Sequence, residues 1–247
     1  MNHKFFITHL YPDQMSIYGD MGNIIAMRYR LEKYGFEVVY QTVAPGQDLP
    51  ETTDWYFMGG GQDKEQEMIY KDLLVKKTKL VSDIENGAGL LAICGGYQLL
   101  GNQFITGNGV EVEGLGVFDV VTKAPGNSVK QRCIGNIVEE CLIDELRGQA
   151  LVGFENHGGQ TELGVTAQPL GKVISGFGNT YDSGYEGCVY KNAVGTYLHG
   201  SCLPKNPQLT DWFIHRVIER KKIVVDMAKI DDTISTKTRE YLELRFG

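Results

Sequence analysis

The chain has 247 residues, 42% of them hydrophobic, and carries 24 basic against 31 acidic side chains for a net charge of −7. That is enough apolar material for one large α/β unit, while the acidic balance argues against docking on nucleic acid or an anionic membrane face, which need clustered cations. No apolar run approaches the roughly 18 residues of a spanning helix, and the polar start MNHKFFITHLYPDQ does not read as a signal peptide, so the expectation is a cytoplasmic protein with one domain over residues 1–247.

The first half alternates strand and helix signals. KFFITHLY reads as a strand, and GDMGNIIAMRYRLEKYGF as a helix with Ile24, Ile25, Met27 and Leu31 apolar and a stop at Gly35. FEVVYQTV and DWYFMGGG read as the next strands, EQEMIYKDLLVKKTKLVSDIENG as one long helix, and GLLAIC as a fourth, continuously apolar strand. Apolar strands alternating with helices predict a mostly parallel sheet covered on both faces. From about residue 113 the signal changes to glycine-punctuated strands: EGLGVFDVVTK, CIGNIVEECLID, LVGFENH, GKVISGF and CVYKNAVGTYLHG. They predict an antiparallel or mixed extension of the same sheet. A helix over NPQLTDWFIHRVIERKK and a short C-terminal helix in IDDTISTKTREYLELRFG complete the chain.

In open α/β sheets, functional groups collect beyond the carboxyl ends of the strands. Two glycine-rich loops fall at such ends, MGGGQDKEQ (58–66) and CGGYQ (94–98). If Cys94 ends a strand and Gly95 opens a helix, the turn is a nucleophile elbow, and the helix N-terminus favours a thiolate. Gly95 and Gly96 suit a turn too cramped for side chains. The Gly95 N–H would face a developing oxyanion, with a second donor from Gly60 or Gly61. The glycine triplet has no GxxxxGK[ST] context, and no GxGxxG follows a strand, so a phosphate cradle is disfavoured.

The five cysteines, Cys94, Cys133, Cys141, Cys188 and Cys202, include no CxxC pair, which points to free thiols rather than a zinc or redox pair. A cysteine nucleophile needs a base near it in space. Of the histidines, His3 sits near the terminus, His215 within an amphipathic helix, and His9 after the first strand, where a structural role is the simpler reading. His157 and His199 both end strands before a glycine, and the longer β run favours His199 slightly.

CGGYQ matches C-x-G-x-Q, the nucleophile motif of class I, triad-type glutamine amidotransferases. YLHG is similar to the histidine motif of their cobyric-acid-synthase-like (CobB/CobQ-like) branch, and MGGGQDKEQ to its oxyanion-loop segment. LYPDQMSIYGDMGNI, FENHGGQT and GNSVKQRCIGN strengthen the likeness, which spans residues 5 to about 215. The resemblance implies a three-layer α/β fold with a mostly parallel central sheet, helices on both faces and an antiparallel extension. It implies that Cys94 attacks the side-chain amide of L-glutamine and that His199 acts as base and then as acid. Gly95, with Gly60 and Gly61, would form the oxyanion hole, while Gln98 and Arg132 would bind substrate, Arg132 pairing the α-carboxylate. No metal or cofactor is implied in this chain. Similarity to single-domain glutaminase subunits further implies a heterodimer with a Mur-ligase-like synthetase of the MurT type. That partner would use ATP and Mg to amidate D-glutamate in the lipid II stem peptide during peptidoglycan biosynthesis.

One departure stands out. Many triad amidotransferases read H-x-E, the glutamate orienting the imidazole, whereas this chain reads His199-Gly200-Ser201. The expectation is therefore a dyad or an acid from elsewhere, with a carboxylate of the partner chain the favoured source. Glu155 and His157 are internal alternatives for orientation, partner contact or ammonia handling. Two other functions remain open to the sequence: a cobyrinate-type amidotransferase subunit, and a catalytically silent binding module on the same fold.

Overall fold

The computed structural model describes every residue except 1, 2, 18, 127–131, 226, 228 and 229. Residues 127–131 and Tyr18, within two of the segments quoted for the family likeness, thus lie outside the described residues. The early strands form where the apolar segments predict them: β1 (Lys4–Leu10), β2 (Glu37–Val43), β3 (Trp55–Met58) and β4 (Gly89–Ile93). All four run parallel in the order β2-β1-β3-β4. Every residue of β3 and β4 is buried, as a strand covered on both faces requires. α1 (Met21–Lys33) connects β1 to β2, and α2 (Asp63–Val75) and α3 (Lys77–Glu85) connect β3 to β4. The single helix expected there is two because the chain bends at Lys76, whose buried ammonium pairs with Asp72 while Asp72 also accepts the Tyr11 hydroxyl at 2.6 Å.

The second half departs from the expected extension of one sheet. After α4 (Gly95–Leu99) come β5 (Gln103–Ile105), β6 (Glu111–Glu113), β7 (Val120–Lys123), β8 (Cys133–Cys141), β9 (Ala150–His157), β10 (Gln160–Leu163), β11 (Gly171–Ser175) and β12 (Tyr185–Glu186). These form two further four-stranded sheets, β10-β7-β5-β6 and β12-β11-β8-β9. Only β13 (Cys188–Tyr190) and β14 (Ala193–Thr196) join the first sheet, β14 parallel to β4 and β13 antiparallel at its edge. The reason is local pairing: β8 and β9 keep one continuous register from Cys133↔His157 to Glu140↔Ala150, and β11 satisfies the other edge of β8. α5 (Cys202–Lys205), α6 (Pro207–Lys221) and α7 (Thr233–Phe246) follow.

The core of the six-stranded sheet is dominated by fully buried aromatics, among them Trp55, Tyr56, Phe57, Tyr97, Tyr197 and Phe213. Because β14 lies parallel beside β4, with Thr196 opposite Ile93, the residues that follow each strand emerge at the same sheet end. That end carries Cys94 and His199.

Candidate active site

Cys94 follows β4 and precedes α4 with φ 49° and ψ −104°, a left-handed backbone that a non-glycine residue rarely adopts. Its N–H donates to the Thr196 carbonyl at 2.9 Å, so the turn is fixed by the neighbouring strand. The two glycines after it are required by space. A Cβ on Gly95 would stand 2.8 Å from Gln66 Nε2 and 2.9 Å from the Gly61 backbone, and one on Gly96 would stand 2.7 Å from the Met58 carbonyl oxygen. The strain and the packing together hold the sulfur at the mouth of a cavity.

His199 reaches that sulfur from the end of β14. Its backbone forms a two-way bridge with Phe154 of β9, its N–H donating at 2.9 Å and its carbonyl accepting at 3.2 Å. The imidazole is 1% exposed and close enough to Cys94 for that group to bear on its titration. Burial pulls its pKa down, but the charge Cys94 carries as a thiolate and the carboxylate of Asp20 outweigh this and hold it up at about 10. Near neutrality the imidazole is therefore held in its cationic form beside the Cys94 sulfur.

A carboxylate that the H-G-S sequence does not supply stands beside His199: that of Asp20. It is fully buried, with Oδ1 3.7 Å from His199 Nδ1 and Oδ2 accepting the Gly60 N–H at 2.6 Å. A carboxylate of this chain thus lies beside His199, where the sequence pointed to one from a partner. Its position explains why it was missed: Asp20 directly precedes α1 and reads as an ordinary N-cap, yet its side chain caps nothing in that helix. Ser201, at the place of the glutamate in H-x-E, donates its hydroxyl to the Gly19 carbonyl at 2.6 Å and ties the two loops together. Leu203 N–H to Asn23 Oδ1 at 2.9 Å is a second tie between them.

The same geometry corrects one candidate. Gly60 cannot offer its N–H to an oxyanion while Asp20 holds it, so of the expected donors Gly61 and Gly95 remain, their backbones packed against each other. The glycine triplet is needed for fit: a Cβ on Gly59 would stand 2.5 Å from the Met15 carbonyl oxygen, and one on Gly60 would stand 3.1 Å from His199 Cε1.

A cavity of about 390 Å³ opens in front of Cys94, walled by Gly61, Gln98, Phe104, Arg132, Asn156 and the 157–159 turn. Arg132 is half-buried and donates from Nε and Nη2 to Asn156 Oδ1 at 3.2 and 2.9 Å. Gln98 lies in the wall with both ends engaged: Oε1 accepts from Gln66 at 2.7 Å, and Nε2 donates to the Tyr197 hydroxyl at 3.2 Å. These two bonds hold Gln98, the expected substrate-binding residue, in the cavity wall. His157 is also buried there, its ring stacked on Tyr197 at 3.7 Å and Nδ1 bonded to the Gly159 carbonyl at 2.8 Å. Glu155, on the same face of β9 with Oε1 3.9 Å from His157 Nε2, accepts the N–H groups of Phe177 and Gly178 at 2.9 and 2.5 Å.

The remaining histidines and cysteines lie apart from this chemistry. His9 is fully buried, bonded to the Tyr40 hydroxyl at 3.0 Å, and burial lowers its pKa to about 4. Burial raises the thiol of Cys133 to about 11 and those of Cys141, Cys188 and Cys202 to about 12, leaving them inert near neutrality.

Comparison with known proteins follows the same lines. Residues 6–207 match the model of the CobB/CobQ-like glutamine amidotransferase domain. The chain is 40% identical over 243 residues to subunit GatD of the glutamine-hydrolysing lipid II isoglutaminyl synthase of Staphylococcus aureus strain N315, covering 97% of this chain and 95% of that one. It is 40% identical to the Streptococcus pneumoniae R6 subunit of the same name, over 87% of this chain and 81% of that one. A probable cobyric acid synthase of Methanothermobacter thermautotrophicus is 32% identical over 64% of this chain but only 32% of its own length. Among solved structures, a Thermotoga maritima PurLQS chain superposes with a TM-score of 0.58 at 13% identity over 89% of this chain and 97% of that one, a likeness of fold.

Proposed function

The chain belongs to the CobB/CobQ-like glutamine amidotransferase family, and on that premise we propose that it hydrolyses L-glutamine through a Cys94 thioester and passes the ammonia to a synthetase subunit. The observation that carries this reading is the buried line from Cys94 through His199 to Asp20, at a strained elbow facing a cavity.

In this reading the Cys94 sulfur attacks the side-chain carbonyl carbon of glutamine, its proton held by His199. The oxyanion is met by the Gly61 and Gly95 N–H groups. Collapse breaks the C–N bond, and His199 gives its proton to the departing ammonia. Water, deprotonated by His199, then attacks the γ-glutamyl thioester and releases glutamate, returning the thiol. Asp20 orients the imidazole and stabilises its cationic form, and Arg132 pairs the substrate α-carboxylate.

The acceptor reading rests on the relatives. Full-length likeness favours the role named for the staphylococcal and pneumococcal subunits over cobyrinate amidation, whose relatives are matched over only a minor part of their length. The partner is then a Mur-ligase-like synthetase of the MurT type that holds ATP and Mg and presents lipid II, its D-glutamate becoming D-isoglutamine.

Cys94→Ala in the two-subunit enzyme tests this. Glutamine-dependent amidation of lipid II is expected to vanish while amidation driven by added ammonium persists. Glutamine-dependent turnover surviving in Cys94→Ala refutes the proposal.

A further inference from the structure

Arg132 and Asn156 form an unusual pairing for a cation in a pocket wall. Arg132 directly precedes β8 and Asn156 lies in β9, where it stands opposite Ile134. Three hydrogen bonds join the two residues: Nε and Nη2 to Asn156 Oδ1, and Nη2 to the Asn156 carbonyl at 2.8 Å. One edge of the guanidinium fork is thereby occupied, and the Nη1 side lies against Gly158 in the cavity wall.

All the acceptors on that edge are neutral. Among the described residues no carboxylate comes within ion-pair distance of Arg132. The buried Arg30, by contrast, is bidentate to both Asp211 and Asp232, and Arg220 is paired with Asp54. Glu155, adjacent to Asn156 in sequence, turns to the opposite face of β9 and spends its oxygens on Phe177 and Gly178. Asp63 also lines the cavity and accepts the Gly107 N–H at 3.1 Å. Among the described residues, then, the guanidinium is held in place with no carboxylate paired to it.

We propose that Asn156 is the residue that sets specificity for the substrate's α-carboxylate, positioning Arg132 through neutral acceptors so that its positive charge is spent on the substrate. This rests on the reading of Arg132 given under Proposed function. Aspartate at 156 has the same shape and the same acceptor, yet it satisfies the charge internally and makes a substrate carboxylate the second anion on one cation. A neutral amide is thus a functional choice at this position.

The test is Asn156→Asp, with Asn156→Ser and Arg132→Gln beside it, in the two-subunit enzyme. KM for L-glutamine is expected to rise at least about tenfold in Asn156→Asp while kcat stays within about threefold, the signature of lost uniform binding. The preference for L-glutamine over its α-amide, which lacks the carboxylate, should fall by a similar factor. Iodoacetamide labelling of Cys94 without glutamine should keep its rate, while the glutamine concentration that half-protects it should rise with KM. Asn156→Ser keeps the charge but loses orientation, and should raise KM with the preference for L-glutamine largely retained. An unchanged KM in Asn156→Asp, with Arg132→Gln impaired, overturns the inference, as does a collapse of basal Cys94 labelling. An unchanged KM in Arg132→Gln overturns the underlying role of Arg132.

Discussion

Asp20→Asn probes the site at the acid that its sequence conceals. The substitution keeps the shape, and the new amide carbonyl can still accept the Gly60 N–H that Oδ2 now holds at 2.6 Å. What changes is the atom facing His199 Nδ1, where a charged oxygen at 3.7 Å becomes an NH₂ group. Two losses follow. A unit charge pair at that distance is worth about 4 kcal/mol at an effective dielectric constant near 20, or roughly three decades in rate. An NH₂ donor against Nδ1 also favours the tautomer with its proton on Nε2 and so changes which ring nitrogen can accept a proton. The same exchange in the serine-protease triad costs about 10⁴-fold in kcat, and the longer separation here places the expectation near 10³-fold. His199, held at about 10 by Cys94 and Asp20 against the effect of burial, should titrate lower in the variant, moving the pH profile of Cys94 alkylation. Glutamate release gives kcat, iodoacetamide labelling against pH gives the second reading, and thermal melting confirms the fold. A kcat within about threefold of the parent refutes the assignment and returns the acid to the partner subunit.

Ser201→Ala removes the hydroxyl that ties the His199 loop to Gly19 at 2.6 Å; the expected result is a loss of about 1 kcal/mol in stability and a several-fold fall in kcat with KM unchanged, checked by melting and steady-state kinetics. A second prediction concerns pH. Glu139 and Glu186 are fully buried and adjacent; burial, then the like charge of its neighbour, holds the Glu139 carboxyl well above the ordinary range, and burial raises Glu186 as well. Because the folded pKa values lie above the unfolded ones, their contribution is complete below about 4.5 and is lost as pH rises through the raised values. Tm should therefore fall between about pH 5 and 8, and Glu139→Gln should flatten that fall, by about 2–4 °C for each kcal/mol recovered. An identical slope in Glu139→Gln would contradict this account.

The residues that act through local rules were legible in the sequence. Cys94, Gly95 and Gly96 declare a strand-to-helix turn by type and order, and the cavity and strained φ bear out the elbow. His199 was separable from His157 only weakly, because both end strands before glycine; what distinguishes them is β14 lying parallel beside β4, a long-range pairing that no local pattern reports. Asp20 was illegible for a related reason. Its use depends on β1 and β3 being neighbours, so that the loop before α1 meets Gly60. Gly60 as an oxyanion donor failed at the same contact. The strands after residue 113 are legible as strands, but the expectation that they extend the first sheet holds only for β13 and β14, since short glycine-broken segments specify turns better than partners.

FENH, residues 154–157, shows how one strand can set the distance between His199 and the arginine of the cavity wall. Phe154 bridges the His199 backbone, and Asn156 grips Arg132 two residues on. Two residues of strand span about 6.7 Å, so the His199 bridge and the Arg132 guanidinium are spaced by strand geometry rather than by loops. The inward pair does complementary work: Glu155 fixes the 177–178 turn, while His157 pins Gly159 and stacks on Tyr197, which also holds Gln98. Both sets depend on the same register between β8 and β9. A slip of one residue would turn Asn156 inward and Glu155 outward, placing a carboxylate where Arg132 now meets a neutral amide. The alternation within FENH therefore does more than build a sheet; it keeps the acid of position 155 away from the cation and the amide of position 156 beside it.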